Sequence, residues 1–177
     1  MKILAFAASN SKQSINRILA TYVAHLIEGA EIDVLDINDY EMPIFSIDRE
    51  KQLGQPEHAK KFYSKIGEAD VLIISFAEHN GSYTAAYKNL FDWTSRIDQK
   101  VFQNKPTLLL STSPGAGGAT SVLKEATNSA PYFAADVRAS VSVPSFYENF
   151  DQSANQLTNS EIEQELRRVV ELVICHK

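Results

Sequence analysis

Val71-Leu72-Ile73-Ile74-Ser75-Phe76 runs straight into Ala77-Glu78-His79-Asn80-Gly81-Ser82-Tyr83. A short, continuous apolar run closed by a turn dipeptide, Asn80-Gly81, predicts a strand covered on both faces. Working outward, Ile3 to Ala7 repeats the pattern upstream, as does Ile32 to Ile37. Thr107 to Thr112 and Val137 to Val143 repeat it downstream.

Helical spacing fills the gaps. After Ser14, the residues Ile15, Ile18, Leu19, Tyr22, Val23, Leu26 and Ile27 share one helix face, and Gly29 is the expected stop. Pro56 opens a helix carrying Ala59, Phe62, Tyr63 and Ile66. Tyr87, Leu90, Phe91, Trp93 and Ile97 mark another, and roughly 119–130 a further one. Ser160 to about His176 predicts an amphipathic helix, with Ser160 and Glu163 as a capping box. Ile162, Leu166, Val169, Val170 and Val173 form its apolar face.

Five strands alternating with helices are βαβ units. The expected fold class is therefore α/β, a doubly wound five-stranded parallel sheet with helices on both faces. Residues 1–177 read as one domain, with irregular stretches at 38–55 and 144–159 as rims or partner surfaces.

Composition narrows the function. Lys plus Arg number 17 against 22 Asp plus Glu, a net charge of −5, which argues against a nucleic-acid partner. One cysteine, Cys175, and four scattered histidines (His25, His58, His79, His176) give no metal-ligand spacing. No apolar run approaches a membrane span, and Met1 to Ala8 is too short for a signal h-region. The expected location is cytoplasmic, with no membrane partner.

On a doubly wound sheet, ligands bind beyond the carboxyl ends of the strands, where strand order reverses. Three segments matter there. Ser9-Asn10-Ser11-Lys12-Gln13-Ser14-Ile15-Asn16 joins a strand to a helix N-terminus. The unpaired N–H groups, the hydroxyls of Ser9, Ser11 and Ser14 and the Asn16 amide suit a phosphate. Ser14 would equally serve as a plain helix cap, with its neighbours facing water. The segment has no glycine, so it is neither a Walker loop nor a dinucleotide fingerprint, and a terminal monophosphate fits better than a pyrophosphate. Glu78-His79-Asn80-Gly81 exposes turn backbone able to pair with a planar heterocycle, or is an ordinary connection. Ser111-Thr112-Ser113-Pro114-Gly115-Ala116-Gly117-Gly118 concentrates three of the seven glycines, which predicts close approach of a flat ring.

These segments, together with Tyr87-Lys88-Asn89-Leu90-Phe91-Asp92-Trp93, occur in an order that resembles the NAD(P)H-dependent FMN reductase family. That group is flavodoxin-like and includes quinone, chromate and azo-dye reductases. Family members usually carry Pro-Glu-Tyr-Asn where this chain has Ala77-Glu78-His79-Asn80. The resemblance implies that Ser9, Ser11, Ser14 and Asn16 hold the phosphate of FMN. It implies that Glu78, His79, Asn80 and Gly81 line the isoalloxazine through backbone groups and packing. Ser113, Pro114, Gly115, Gly117 and Gly118 would contact its other edge. No side chain is assigned a catalytic role. The implied activity is a ping-pong reductase with NAD(P)H as co-substrate and a flavin, quinone or similar small acceptor. The alternative is a flavodoxin-like FMN carrier with no nicotinamide-dependent activity of its own. Aromatic residues at Tyr87, Phe91 and Trp93 point to a homodimer through their helix, or a homotetramer, with the Lys88-Asn89 and Asp92-Trp93 pairs ordering loop and interface.

Overall fold

Alternate residues of the central strands part to opposite sides. In β1 (Lys2–Ala8), Ile3 and Ala5 enter one core while Leu4, Phe6 and Ala8 enter another. In β3 (Val71–Phe76), Val71 and Ile73 join the first core, and Leu72, Ile74 and Phe76 the second. A strand apolar at every position needs a cover on each face, and helices supply both. The computed structural model describes residues 1–175.

α1 (Ile15–Ala24) and α7 (Ser160–Ile174) cover one face. α3 (Glu57–Glu68), α4 (Ala85–Thr94) and α5 (Thr120–Ser129) cover the other. With β2 (Glu31–Leu35), β4 (Pro106–Thr112) and β5 (Asp136–Val143), the sheet is wholly parallel in the order β2-β1-β3-β4-β5. The expected doubly wound, flavodoxin-like sheet is borne out.

Several boundaries differ from expectation. α1 ends at Ala24, before Gly29, because Leu26 and Ile27 donate to Val23 and Ala24 in tight three-residue turns. β2 stops at Leu35, since the Asp36 carboxylate accepts from Asn38 N at 3.0 Å and caps a short 3-10 helix at Ile37–Tyr40. α7 is capped by Asn159 rather than Ser160. Asn159 Oδ1 accepts from Glu161 N and Ile162 N, while Glu163 turns away to pair with Arg167. The expected end of this helix at His176 lies outside the described residues.

The two stretches read as irregular hold structure. In 38–55 sits α2 (Ile47–Leu53), capped by Ser46 and stopped at Gly54, whose φ is +68°. None of its residues is buried, so no apolar period announces it. In 144–159 lie α6 (Phe146–Asn149) and a two-stranded ribbon of β6 (Phe150–Asp151) and β7 (Gln156–Leu157). Phe146, Phe150 and Leu157 anchor that segment in the α1–α7 core, with the Phe146 and Phe150 rings stacked at 5.0 Å.

The Lys88 to Trp93 motif pins the 41–55 strap to α4. Asn89 Oδ1 accepts from Phe45 N at 2.8 Å, and Asn89 Nδ2 donates to the Met42 carbonyl at 3.1 Å. Trp93 is wholly buried and donates from Nε1 to the Pro43 carbonyl at 2.7 Å. Lys88 and Asp92 form an i,i+4 ion pair on the exposed side. The aromatic surplus of α4 is thus largely spent inside the chain. Trp93 meets Phe45, Tyr87 meets Phe76, and Phe91 meets Phe102 and Phe133.

Candidate functional site

The chain leaves β1 for β2 on one side, then crosses back over β1 to start β3 on the other. The connections after β1 and β3 therefore diverge onto opposite faces and leave a crevice between the strand ends. A shallow trough of about 240 Å³ lies there.

Its floor is built by Asn16, which is 3% exposed. Asn16 Oδ1 accepts from Ser75 Oγ at 2.7 Å and from Thr112 N at 3.0 Å. Asn16 Nδ2 donates to the Thr112 carbonyl at 3.1 Å. One side chain thus staples the first turn of α1 to the ends of β3 and β4. The oxygen is fully engaged, which leaves one amide N–H for a ligand. Ser14 caps α1, its Oγ accepting from Arg17 N at 3.2 Å, and Ser9 Oγ accepts from Ser11 N at 3.3 Å. Each hydroxyl keeps its proton free to donate. Ser9 and Ser14 are buried and Ser11 is exposed. With the N–H groups that open α1, these donors converge on one wall of the trough.

The opposite wall comes from Ala77, Glu78 and His79. His79 and Ser82 exchange backbone hydrogen bonds at 3.0 and 3.2 Å across Asn80 and Gly81. Both central residues have positive φ, +53° and +81°, the geometry that Asn-Gly favours in a two-residue hairpin turn. Thr84 Oγ1 donates to the Ala8 carbonyl and accepts from Tyr87 N, so α4 starts locked to the end of β1. Glu78 reaches away from the turn, and its Oε2 accepts from Val122 N in α5 at 2.9 Å.

Ser113 and Pro114 close the far end of the trough. The remaining residues expected at the site do not line it. Asn80 and Gly81 form the exposed tip of the turn, and Gly115 and Gly117 lie exposed with open space around them. Gly118 is buried for a different reason from the one expected. Its φ is +58°, and a β-carbon there would strike Ser142 Oγ and press the Pro144 backbone at 3.2 Å. That clearance lets the loop pack on β5. Gly118 O also accepts from Ser111 Oγ at 2.7 Å and Ser142 Oγ at 2.8 Å.

Gln13, Ile15, Ala77 and Thr112 of the same segments also line the trough, and Tyr147, outside them, does so without having been expected. Tyr147, 60% exposed, is brought there by α6, whose neighbouring Phe146 is fully buried. The adjacent aromatic pair after the fifth strand was the available signal. A second hollow, about 370 Å³, lies beside Asn10, Tyr40, Met42 and Asn89, and a third, about 230 Å³, between α4 and α5. Among the described residues, no cluster of His, Cys, Asp or Glu is disposed to hold a metal, and no helix is long and apolar enough to cross a membrane.

Residues 1–148 match the model of a family described as NADPH-dependent FMN reductase. The chain belongs to this family. Membership in the FMN reductases bears out the reading as an oxidoreductase over that as a carrier. The chain is 34% identical over 130 residues to NADH-dependent flavin reductase subunit 2 of Lactobacillus johnsonii, a match covering 71% of this chain and 67% of that one. It is 35% identical over 120 residues to 2-hydroxy-1,4-benzoquinone reductase of a Burkholderia species, covering 67% and 63%. The matched region thus spans about two thirds of the length of these relatives. In fold it resembles the flavoenzyme NAD(P)H:(acceptor) oxidoreductase FerB of Paracoccus denitrificans, with a TM-score of 0.76, 24% identity and coverage of 97% and 94%.

Proposed function

We propose that the protein binds FMN in the trough at the β1–β3 switch point and passes electrons from NAD(P)H to a small acceptor of the quinone or flavin class. The observation that carries the reading is the convergence of Ser9, Ser14 and Asn16, all buried, with the third-strand turn and Pro114 on one trough. The donor set fits the group. Two free hydroxyl protons, an amide N–H and the N-terminus of α1 suit a dianionic phosphate, and Lys12 adds positive charge on the same loop. Backbone at 77–79 and the stiff Ser113-Pro114 step offer two edges between which a flat ring can lie.

FMN held there supplies the two-electron relay between donor and acceptor. The chain's own work is to fix the phosphate, set the ring plane and leave one side of the trough open, so that donor and acceptor visit in turn. Backbone of the loops at 77–79 and 113–114 would hold the ring edges, so that no titrating side chain is needed there. The Lactobacillus relative's name supports a flavin acceptor and the Burkholderia relative's a quinone.

The purified protein is expected to show flavin absorbance that bleaches when NADPH or NADH is added without air. A colourless protein that takes up no FMN would sink the reading, and one that stays yellow would make it a carrier. Ser9→Ala is expected to raise the FMN dissociation constant about tenfold, the loss of one hydrogen bond to a charged group. Ser14→Ala adds about 1 kcal/mol of lost helix capping to the same effect.

A homodimer through α4 is part of the same proposal. The groove between α4 and α5 leaves Tyr83, Phe91 and Phe133 half-buried over a buried floor of Phe76, Tyr87 and Phe102, apolar surface that a second copy would cover. Sedimentation equilibrium at micromolar concentration should give twice the chain mass, and Phe91→Lys should give the single chain mass.

A further inference from the structure

Three hydrogen bonds run from the loop after β3 to one stripe of α5. Glu78 Oε2 accepts from Val122 N at 2.9 Å, Ser82 Oγ donates to Glu125 Oε2 at 2.8 Å, and the Tyr83 hydroxyl meets Ser129 Oγ at 2.9 Å. Val122, Glu125 and Ser129 follow at i, i+3 and i+7, so they share a helix face. Burial holds the Tyr83 phenol above its ordinary value, and that rung keeps its proton at neutral pH.

The rung at Val122 differs in kind from the other two. α5 begins at Thr120 after Ala119, which offers no capping side chain, and its first turn contains no acidic residue. A helix start without an acceptor leaves N–H groups unpaired and its positive dipole end uncompensated. Glu78 supplies both the acceptor and the charge from 44 residues earlier in the chain. α5 continues directly from Ser113 to Gly118. One carboxylate therefore ties the loop after β3, which walls the trough, to the helix entered from the loop that closes its far end.

We propose that Glu78 is a positioning residue. Its carboxylate caps α5 and sets the separation of the third-strand loop from the fourth-strand loop, and it exchanges no proton in turnover. The inference rests on the reading of the trough as the FMN site, but the bridge itself can be tested without flavin. Glutamine keeps an Oε1 acceptor for Val122 N, whereas alanine removes it.

The experiment compares wild-type protein with Glu78→Ala and Glu78→Gln by three measurements. Amide exchange is followed at Val122 in the flavin-free protein, FMN affinity by fluorescence titration, and kcat and KM for the nicotinamide donor across pH. In Glu78→Ala, Val122 is expected to exchange about tenfold faster and FMN to bind about tenfold more weakly, with KM rising more than kcat falls. Glu78→Gln should recover most of each loss and keep the shape of the wild-type pH profile.

Two results overturn the proposal. One is Val122 exchanging alike in all three proteins, which would mean that no bridge exists. The other is Glu78→Gln keeping Val122 protected while losing turnover as fully as Glu78→Ala, which would place a proton on Glu78. A wild-type protein with Val122 protected by Glu78 that binds no FMN would support the bridge and defeat the cofactor reading separately.

Discussion

Asn16→Ala should lower the stability of the flavin-free protein by about 3 kcal/mol or more and its melting temperature by about 6–12 °C for a chain of this size. The substitution removes the partner of Ser75 Oγ, Thr112 N and the Thr112 carbonyl, all on residues buried in the folded chain. Each orphaned buried polar group costs about 1–3 kcal/mol, so the sum dominates the small loss of packing. Because the same side chain ties α1 to β4, the phosphate wall and the Ser113-Pro114 edge would loosen together. FMN affinity should fall by about a hundredfold, more than deleting one donor explains. Urea unfolding of the apoprotein and flavin titration measure the two effects. A melting shift below about 2 °C would show that the staple carries little.

Gly118→Ala should be nearly as damaging, and Gly115→Ala close to silent in stability. At Gly118 the left-handed backbone costs an L-residue about 1–2 kcal/mol, and forcing a methyl against Ser142 and Pro144 adds about 1–3 kcal/mol. The shift would also disturb the Gly118 carbonyl that accepts from Ser111 and Ser142. At Gly115 φ is not in the positive range and nothing lies within 4 Å of an added β-carbon, so the change should stay within about 0.5 kcal/mol. Thermal denaturation of both proteins side by side decides it. Equal losses would mean that the loop, not the contact with β5, sets the requirement.

What could be read from the sequence depended on how local its cause was. β3 was legible residue for residue, because continuous burial and the following Asn-Gly turn are both written within a dozen positions. Ser14 and its neighbours were legible because a helix start is a local event. α2 was not, since no residue of it is buried and periodicity has nothing to report. The partner of Glu78 lies 44 residues away, and Tyr147 reaches the trough only because Phe146 packs between α1 and α7. Gly118 taught the opposite lesson. The need for a glycine was visible, but its contact with the neighbouring strand depends on packing that no spacing reveals. The engagement of Asn16 with the strand ends was equally hidden, because Ser75 and Thr112 lie far from it in sequence.

The outermost strands of the sheet carry a consequence for self-association. β2 bears Glu31 and Asp33, the latter paired with Lys65 at 2.7 Å, and β5 bears Asp136 and Arg138, paired at 2.6 Å. A foreign strand extending the ladder at either margin would have to strip water from these charges and break their pairings. Ribbon-like stacking into fibrils is thereby disfavoured at both margins, and any assembly this chain forms is steered toward closed contacts between helices.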